Sequence, residues 1–330
     1  MLQSTTIGSY PKIAEELPGP NVRNQLNRLE SGKAEIRSVE QTFRATIARS
    51  VAEQEEAGID LLTDGQIRWE DLLTPLCRDA AGMHPGGLLR WYNNNTYYRH
   101  PVIEGRLWYW GGSSLAATWR ETAALTDHPL KAVLPGPITF WKMSENRHYR
   151  EDTTLLSDLC DLLSLEAEAL QEAGATEIQW DEPSLVYHSS AALLELGRTA
   201  MQRVVANLHV RTHLALYFGA STPWLAQLAT YPVDVLLLDA VDDPALIETL
   251  QTDALPKPFG LGSLNARDVR LETTEMLTRM WEGIARKQGE RFSFVHPSCG
   301  LEYLPHRFAQ AKLQRLGAAV QEWNGKVLPA

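Results

Sequence analysis

Apolar and polar positions along this chain follow two periods. Short runs rich in β-branched and aromatic residues, closed by Gly, Pro or a carboxylate, alternate with longer stretches whose apolar residues recur every three or four positions. Ser4 to Pro11 is the first short run. From Arg23 to Glu56, Ile36, Val39, Phe43, Ile47 and Val51 fall at helical spacing until Gly58 stops them. Further strands are predicted at Ile59 to Gly65, Leu130 to Ile138 with its Pro-Gly-Pro loop, Glu177 to Pro183, Val210 to Phe218, Val233 to Asp239, Lys257 to Leu264 and Arg291 to Gly300. The sixth, an unbroken apolar run, suits a strand buried on both faces. Helical patterns occupy Ser114 to Leu125, Asp152 to Ala173, Ala191 to Leu208, a stretch through Trp281, and His306 to Trp323.

Eight strands alternating with helices over 330 residues predict one α/β domain, a single (β/α)8 TIM barrel covering residues 1–330. Residues 82–112 break the alternation. There Asn93-Asn-Asn95, flanked by Trp91-Tyr92 and Tyr97-Tyr98, reads as the turn of a β-hairpin-like, aromatic-rich insertion after the second strand. Folded over a pocket, this stretch from Trp91 to Trp110 would offer aromatic faces, Trp108 among them, to a flat heterocyclic ligand. A doubly wound open sheet is the alternative, but no Gly-rich phosphate loop opens the first helix. In a barrel all carboxyl ends share one face, so Ser9, Asp181, His213, Asp239 and Cys299 are expected around one pocket.

Composition narrows the partners. A formal charge of −10 and a pI near 5.4 argue against nucleic acid or an anionic membrane surface. The cysteines Cys77, Cys160 and Cys299 are too widely spaced for a disulfide framework, and no signal peptide or membrane-length apolar run is apparent. A reducing cytoplasm is the expected compartment.

Candidate chemistry lies at the strand ends. His213, Asp239 and Cys299 end or follow the fifth, sixth and eighth strands, and imidazole, carboxylate and thiolate are the zinc-binding side chains. Three protein ligands leave the open position of a catalytic metal. Each also has a structural explanation: a hydrogen-bonded core histidine, a helix N-cap before Asp242-Asp243-Pro244, and a packed thiol.

Taken together, Thr6-Ile-Gly-Ser-Tyr-Pro11, Asp64-Gly65, Leu134-Pro-Gly-Pro-Ile-Thr139, Ile178-Gln-Trp-Asp-Glu-Pro-Ser-Leu185, Thr212-His213 and Pro297-Ser-Cys-Gly-Leu301 run in the order of a known family. The chain resembles the catalytic barrel of the cobalamin-independent methionine synthases. That resemblance implies zinc, or another divalent metal, on His213, Asp239 and Cys299, activating the thiol of homocysteine for attack on a methyl donor. It implies substrate contacts from Ile7, Ser9, Gln66 and Asp181, with Asp181 pairing with an ammonium group, and it assigns Asp181 and Asn265 to catalysis.

Besides Asp239, which stands in place of a glutamate ligand, four positions depart from the family pattern. Ala215 stands where a second ligand cysteine is expected, Gln66 where a carboxylate is expected, and Asn265 where a histidine serves methyl transfer. Met143 replaces a tryptophan near the folate ring, with Trp141 two positions earlier. The single barrel is similar to the core methionine synthases, which implies a non-folate donor such as methylcobalamin or a corrinoid protein. Two alternatives stand beside it: a relative that demethylates an N- or S-methylated small molecule onto a thiol, and a barrel that only binds a ligand.

Overall fold

The computed structural model describes residues 1–19, 21–94, 96–109 and 112–326. Asn95 of the expected turn and Trp110 of the aromatic stretch lie outside them. The strands are β1 (Gln3–Ser4), β2 (Ala80–Leu89), β3 (Tyr98–Tyr109), β4 (Ala132–Pro135), β5 (Glu145–Asn146), β6 (Glu177–Asp181), β7 (Arg211–Leu216), β8 (Val235–Asp239), β9 (Phe259–Leu264) and β10 (Phe292–Pro297). A parallel sheet runs in the order β1-β10-β9-β8-β7-β6-β4.

The second predicted strand fills the gap between β1 and β4, but only as two parallel bridges, Thr5 to Leu61 and Leu62 to Leu130. The Leu61 N–H donates to the Ser4 carbonyl at 3.1 Å, and the Lys131 N–H donates to the Leu62 carbonyl at 3.0 Å. Together they close a ring of eight, the barrel that the pattern predicts. The strand ends early because Thr63 donates its N–H to the Gln54 side chain, and Gly65 and Gln66 then turn at φ 70 and 50°.

Helices clothe the ring. The helix Asp152–Glu172 turns Leu155, Leu159, Leu162 and Leu163 inward, each burial contributing roughly 1.5–3 kcal/mol. The helical stretch before Gly58 forms two helices, Val22–Glu30, capped by the Asn21 side chain, and Ile36–Glu56. Between 80 and 109 the chain makes an antiparallel pair, β2 with β3, from Ala80 opposite Tyr109 to Leu89 opposite Tyr98. A bulge interrupts it at Gly82, where a Cβ would stand 2.3 Å from the Arg106 carbonyl oxygen. Among the described residues no helix is long and apolar enough to cross a membrane.

Candidate active site

The loop after β1, the turn after Leu62, and the carboxyl ends of β6, β7 and β10 meet around a narrow cavity of about 30 Å³. Ile7, Ser9, Gln66 and Asp181, the residues expected to contact a substrate, all line it. Successive strand residues face opposite ways, and this separates the two acids of Asp-Glu-Pro. Asp181 enters the barrel, where its carboxylate accepts from Gln179 Nε2 at 2.6 Å and the Tyr217 hydroxyl at 3.0 Å. Burial raises its carboxyl to about 7, against the lowering effect of those two donors.

Glu182 has a structural task. It accepts the N–H groups of Ile138 and Thr139 at 2.8 and 2.7 Å and the Thr139 hydroxyl at 2.7 Å, capping the helix Pro137–Met143. A Cβ on Gly136 would lie 2.0 Å from Glu182 Cγ. The Pro-Gly-Pro and Asp-Glu-Pro segments are therefore two halves of one interlocking turn.

Two non-glycine residues among those described have positive φ, Gln66 at 50° and Phe218 at 67°, and both line the cavity. Backbone held in this region costs free energy and gathers at functional sites. Gln66 Nε2 is also buried without a hydrogen-bond partner.

Tyr92 and Tyr98 of the insertion complete the lining. Tyr92 meets the Ser184 hydroxyl at 2.9 Å, and Tyr98 meets the Tyr303 hydroxyl at 2.9 Å. Arg267 ties the same region together: it lies 5.4 Å above the Phe218 ring, donates to the Asn93 carbonyl at 3.4 Å and pairs with Asp242. Trp108 is placed elsewhere. It is 63% exposed, in a hollow beside Asp158 and Leu165 of an outer helix, because β3 runs back from the mouth toward that helix.

The expected metal ligands do not assemble. Among the described residues no group of three or more His, Cys, Asp or Glu side chains is placed to hold a metal ion. The reason lies in the register of β7. His213 is paired with Gln179, two residues before Asp181, and its Nε2 donates to Glu177 at 2.6 Å, deeper in the barrel. Burial holds this imidazole down at about 4. Ala215 is the residue paired with Asp181, two positions beyond His213, and the hydroxyl of Tyr217, two further on, donates to the Asp181 carboxylate at 3.0 Å.

Asp239 and Cys299 do remain neighbours. Burial lifts the Asp239 carboxyl to about 7, while burial and Asp239 push the Cys299 thiol well above its usual range. Asp239 also accepts the N–H groups of Val241 and Asp242, at 2.8 and 3.2 Å, so its turn-capping role is real. A carboxylate and one thiol, without the imidazole, do not make the three-ligand site that zinc catalysis uses. Asn265 is not in the cavity lining either: its Oδ1 accepts from the Arg267 N–H at 2.9 Å, and its own N–H donates to Glu272 at 2.9 Å.

The sequence reading missed several residues at this site. Tyr217 could have been found from the period of two that starts at His213. Gln179 and Phe218 needed the register and the backbone angle.

A closed barrel whose mouth carries buried polar groups and strained backbone defines an α/β-barrel enzyme with a small-ligand site. Residues 2–322 match the family model described as the cobalamin-independent synthase catalytic domain. The chain belongs to that family, and with membership comes its class, the thiol methyltransferases. It is 25% identical over 318 residues to a methionine synthase of Sulfurisphaera tokodaii, covering 95% of this chain and 90% of that one. It is equally 25% identical over 317 residues to a methionine synthase of Saccharolobus solfataricus, covering 95% and 92%. Among solved structures, a B12-independent methionine synthase from Shewanella sp. W3-18-1 in complex with selenomethionine superposes with a TM-score of 0.83 at 21% identity, covering 99% of both chains. A methyltransferase from Methanosarcina mazei gives 0.60 at 14% identity, covering 97% and 94%. These two likenesses show the fold.

Proposed function

We propose that this enzyme transfers a methyl group from a small N- or S-methylated donor to the thiol of an amino-acid acceptor, most simply homocysteine, giving methionine. The observation that carries the reading is the gathering of Ile7, Ser9, Gln66 and Asp181 around one cavity. Asp181 pairs with the acceptor's ammonium group, and the Gln66 amide, buried and unpaired, supplies a further donor. Tyr92 and Tyr98 exclude water from the transfer, in which the new S–C bond forms as the donor's bond to the methyl carbon breaks, the electron pair of that bond staying with the departing nitrogen or sulfur and the thiol proton passing to that atom or to solvent.

A small donor suits the seating of Tyr92 and Tyr98 over the cavity. Methylcobalamin or a corrinoid protein as donor is left without support by a family described as cobalamin-independent. Because the residues present do not form the three-ligand site, no step of this reading runs through a metal.

The test is incubation of the purified protein with homocysteine and a panel of donors carrying isotopically labelled methyl groups, followed by mass spectrometry of methionine. Labelled methionine is expected with at least one small donor. Asp181→Asn should lower kcat/KM for the acceptor by about 100-fold, the cost of losing a buried charge-assisted contact. In the native enzyme kcat/KM should rise as pH increases through about 7, because Asp181 must lose its proton to pair with an ammonium group. Methionine formation unaltered by Asp181→Asn, or labelled by no small donor but only by methylcobalamin, would overturn the reading.

A further inference from the structure

The interior of a (β/α)8 barrel is ordinarily filled with branched apolar side chains. Beneath this cavity it is polar instead. Lys131, Gln179, His213 and His296 are all buried, and each leaves a polar atom without a partner: Nζ, Oε1, Nδ1 and Nε2. Gln179 stands out among them because it touches the site from below. Its Nε2 donates to two acceptors on different parts of the chain, the carbonyl of Ile7 and Oδ1 of Asp181, both at 2.6 Å. Both residues line the cavity, and Gln179 does not.

We propose that Gln179 is a positioning residue that ties the Ile7 carbonyl to the Asp181 carboxylate, fixing the spacing of the two acceptors that receive the ammonium group of the amino-acid ligand. The inference rests on the amino-acid reading of the cavity given above. Its physical basis is the number of donors. An ammonium group has three N–H bonds, and a carbonyl and a carboxylate held at set distance bind two of them without reorganising. Two acceptors this close repel unless a donor lies between them, and the amide nitrogen of Gln179 is that donor. Turning the amide over would set its oxygen against both. The orientation is retained although Oε1 is then buried unpaired, which costs about 1–3 kcal/mol.

Gln179 acts on Asp181 in a second way. Its hydrogen bond lowers the Asp181 carboxyl, opposing the rise caused by burial. Removing the donor should therefore move the pH at which Asp181 ionises upward.

The test is calorimetric titration of the full chain with L-methionine as the probe, across pH, for the native protein, Gln179→Met, Asp181→Asn and the double variant. Gln179→Met keeps the length of the side chain and loses the donor. It is expected to weaken methionine binding by about 10- to 100-fold, to shift the acidic limb of binding to higher pH, and to add little in the Asp181→Asn background. A role confined to packing would lower the melting temperature without moving the pH limb, and would add fully in the double variant. Gln179→Glu serves if Gln179→Met does not fold: it replaces the donor with a like charge beside Asp181 and should shift the same limb the same way. Native-like affinity and an unmoved limb in either variant overturn the proposal while leaving the amino-acid reading intact. A native protein that binds no L-methionine overturns that reading, and the proposal with it.

Discussion

At Gly136 there is no room for a side chain. A methyl group there would sit within 2.4 Å of three Glu182 atoms, Cγ, Cδ and Oε1, and Glu182 is the group that satisfies the first amides of the helix Pro137–Met143. Gly136→Ala should therefore displace a buried carboxylate and leave two N–H groups unpaired, destabilising the protein by about 3 kcal/mol or more. Chemical denaturation would read this directly, and a loss below about 1 kcal/mol would show that the turn can yield. The residue scale also explains what was legible there. Asp181 and Glu182 are adjacent in one motif, and the motif marks the site. That Asp181 faces the cavity while Glu182 caps a helix follows from strand alternation together with the position of the Pro-Gly-Pro loop, which belongs to a neighbouring strand.

At the scale of elements, the helix His306–Lys326 is anchored by its first residue. His306 is buried between Glu16 and Glu53, with Nε2 at 2.8 Å from Glu53, and Tyr10 donates to the same Glu53 at 2.6 Å. Those acceptors raise the imidazole above its ordinary value, the bond to Glu53 contributing most. A histidine raised in the folded state stabilises fully below its unfolded value, near 6.5, and the contribution is lost as pH rises through the higher folded value. The melting-temperature gap between the native protein and His306→Gln should thus be widest on the acid side of 6.5 and shrink toward alkaline pH. A gap independent of pH would show that His306 anchors this helix as a neutral group. Tyr10 follows Ser9 directly, so this anchor also braces the loop that lines the cavity.

For the whole molecule, the decisive prediction concerns metal. With His213 engaged by Glu177 and Tyr217 at the mouth, the purified protein, after exposure to zinc and removal of loosely held ions, should retain well under one zinc per chain by elemental analysis. His213→Ala should leave that content unchanged while lowering stability, through loss of a buried hydrogen bond. About one zinc per chain, lost in both His213→Ala and Cys299→Ala, would show that the strand ends rearrange around an ion.

The sequence by itself determined the barrel, because alternating periods, turn residues and strand-end carboxylates are local properties that survive in one dimension. Its motifs also carried the family resemblance that pointed to Ile7, Ser9, Gln66 and Asp181, all of which line one cavity. Only the tertiary structure decided which of the other candidates share a space. The β6–β7 register pairs His213 with Gln179, below the mouth; a shift of two residues would have kept the same inward face and set His213 opposite Asp181 in place of Ala215. Likewise the hairpin's aromatic content was plain, but the choice of Tyr92 and Tyr98 over Trp108 came from how β2 and β3 cross the barrel mouth. Local pattern sets which elements form and which face turns inward, whereas depth along a strand is fixed by pairing with a neighbour distant in the chain.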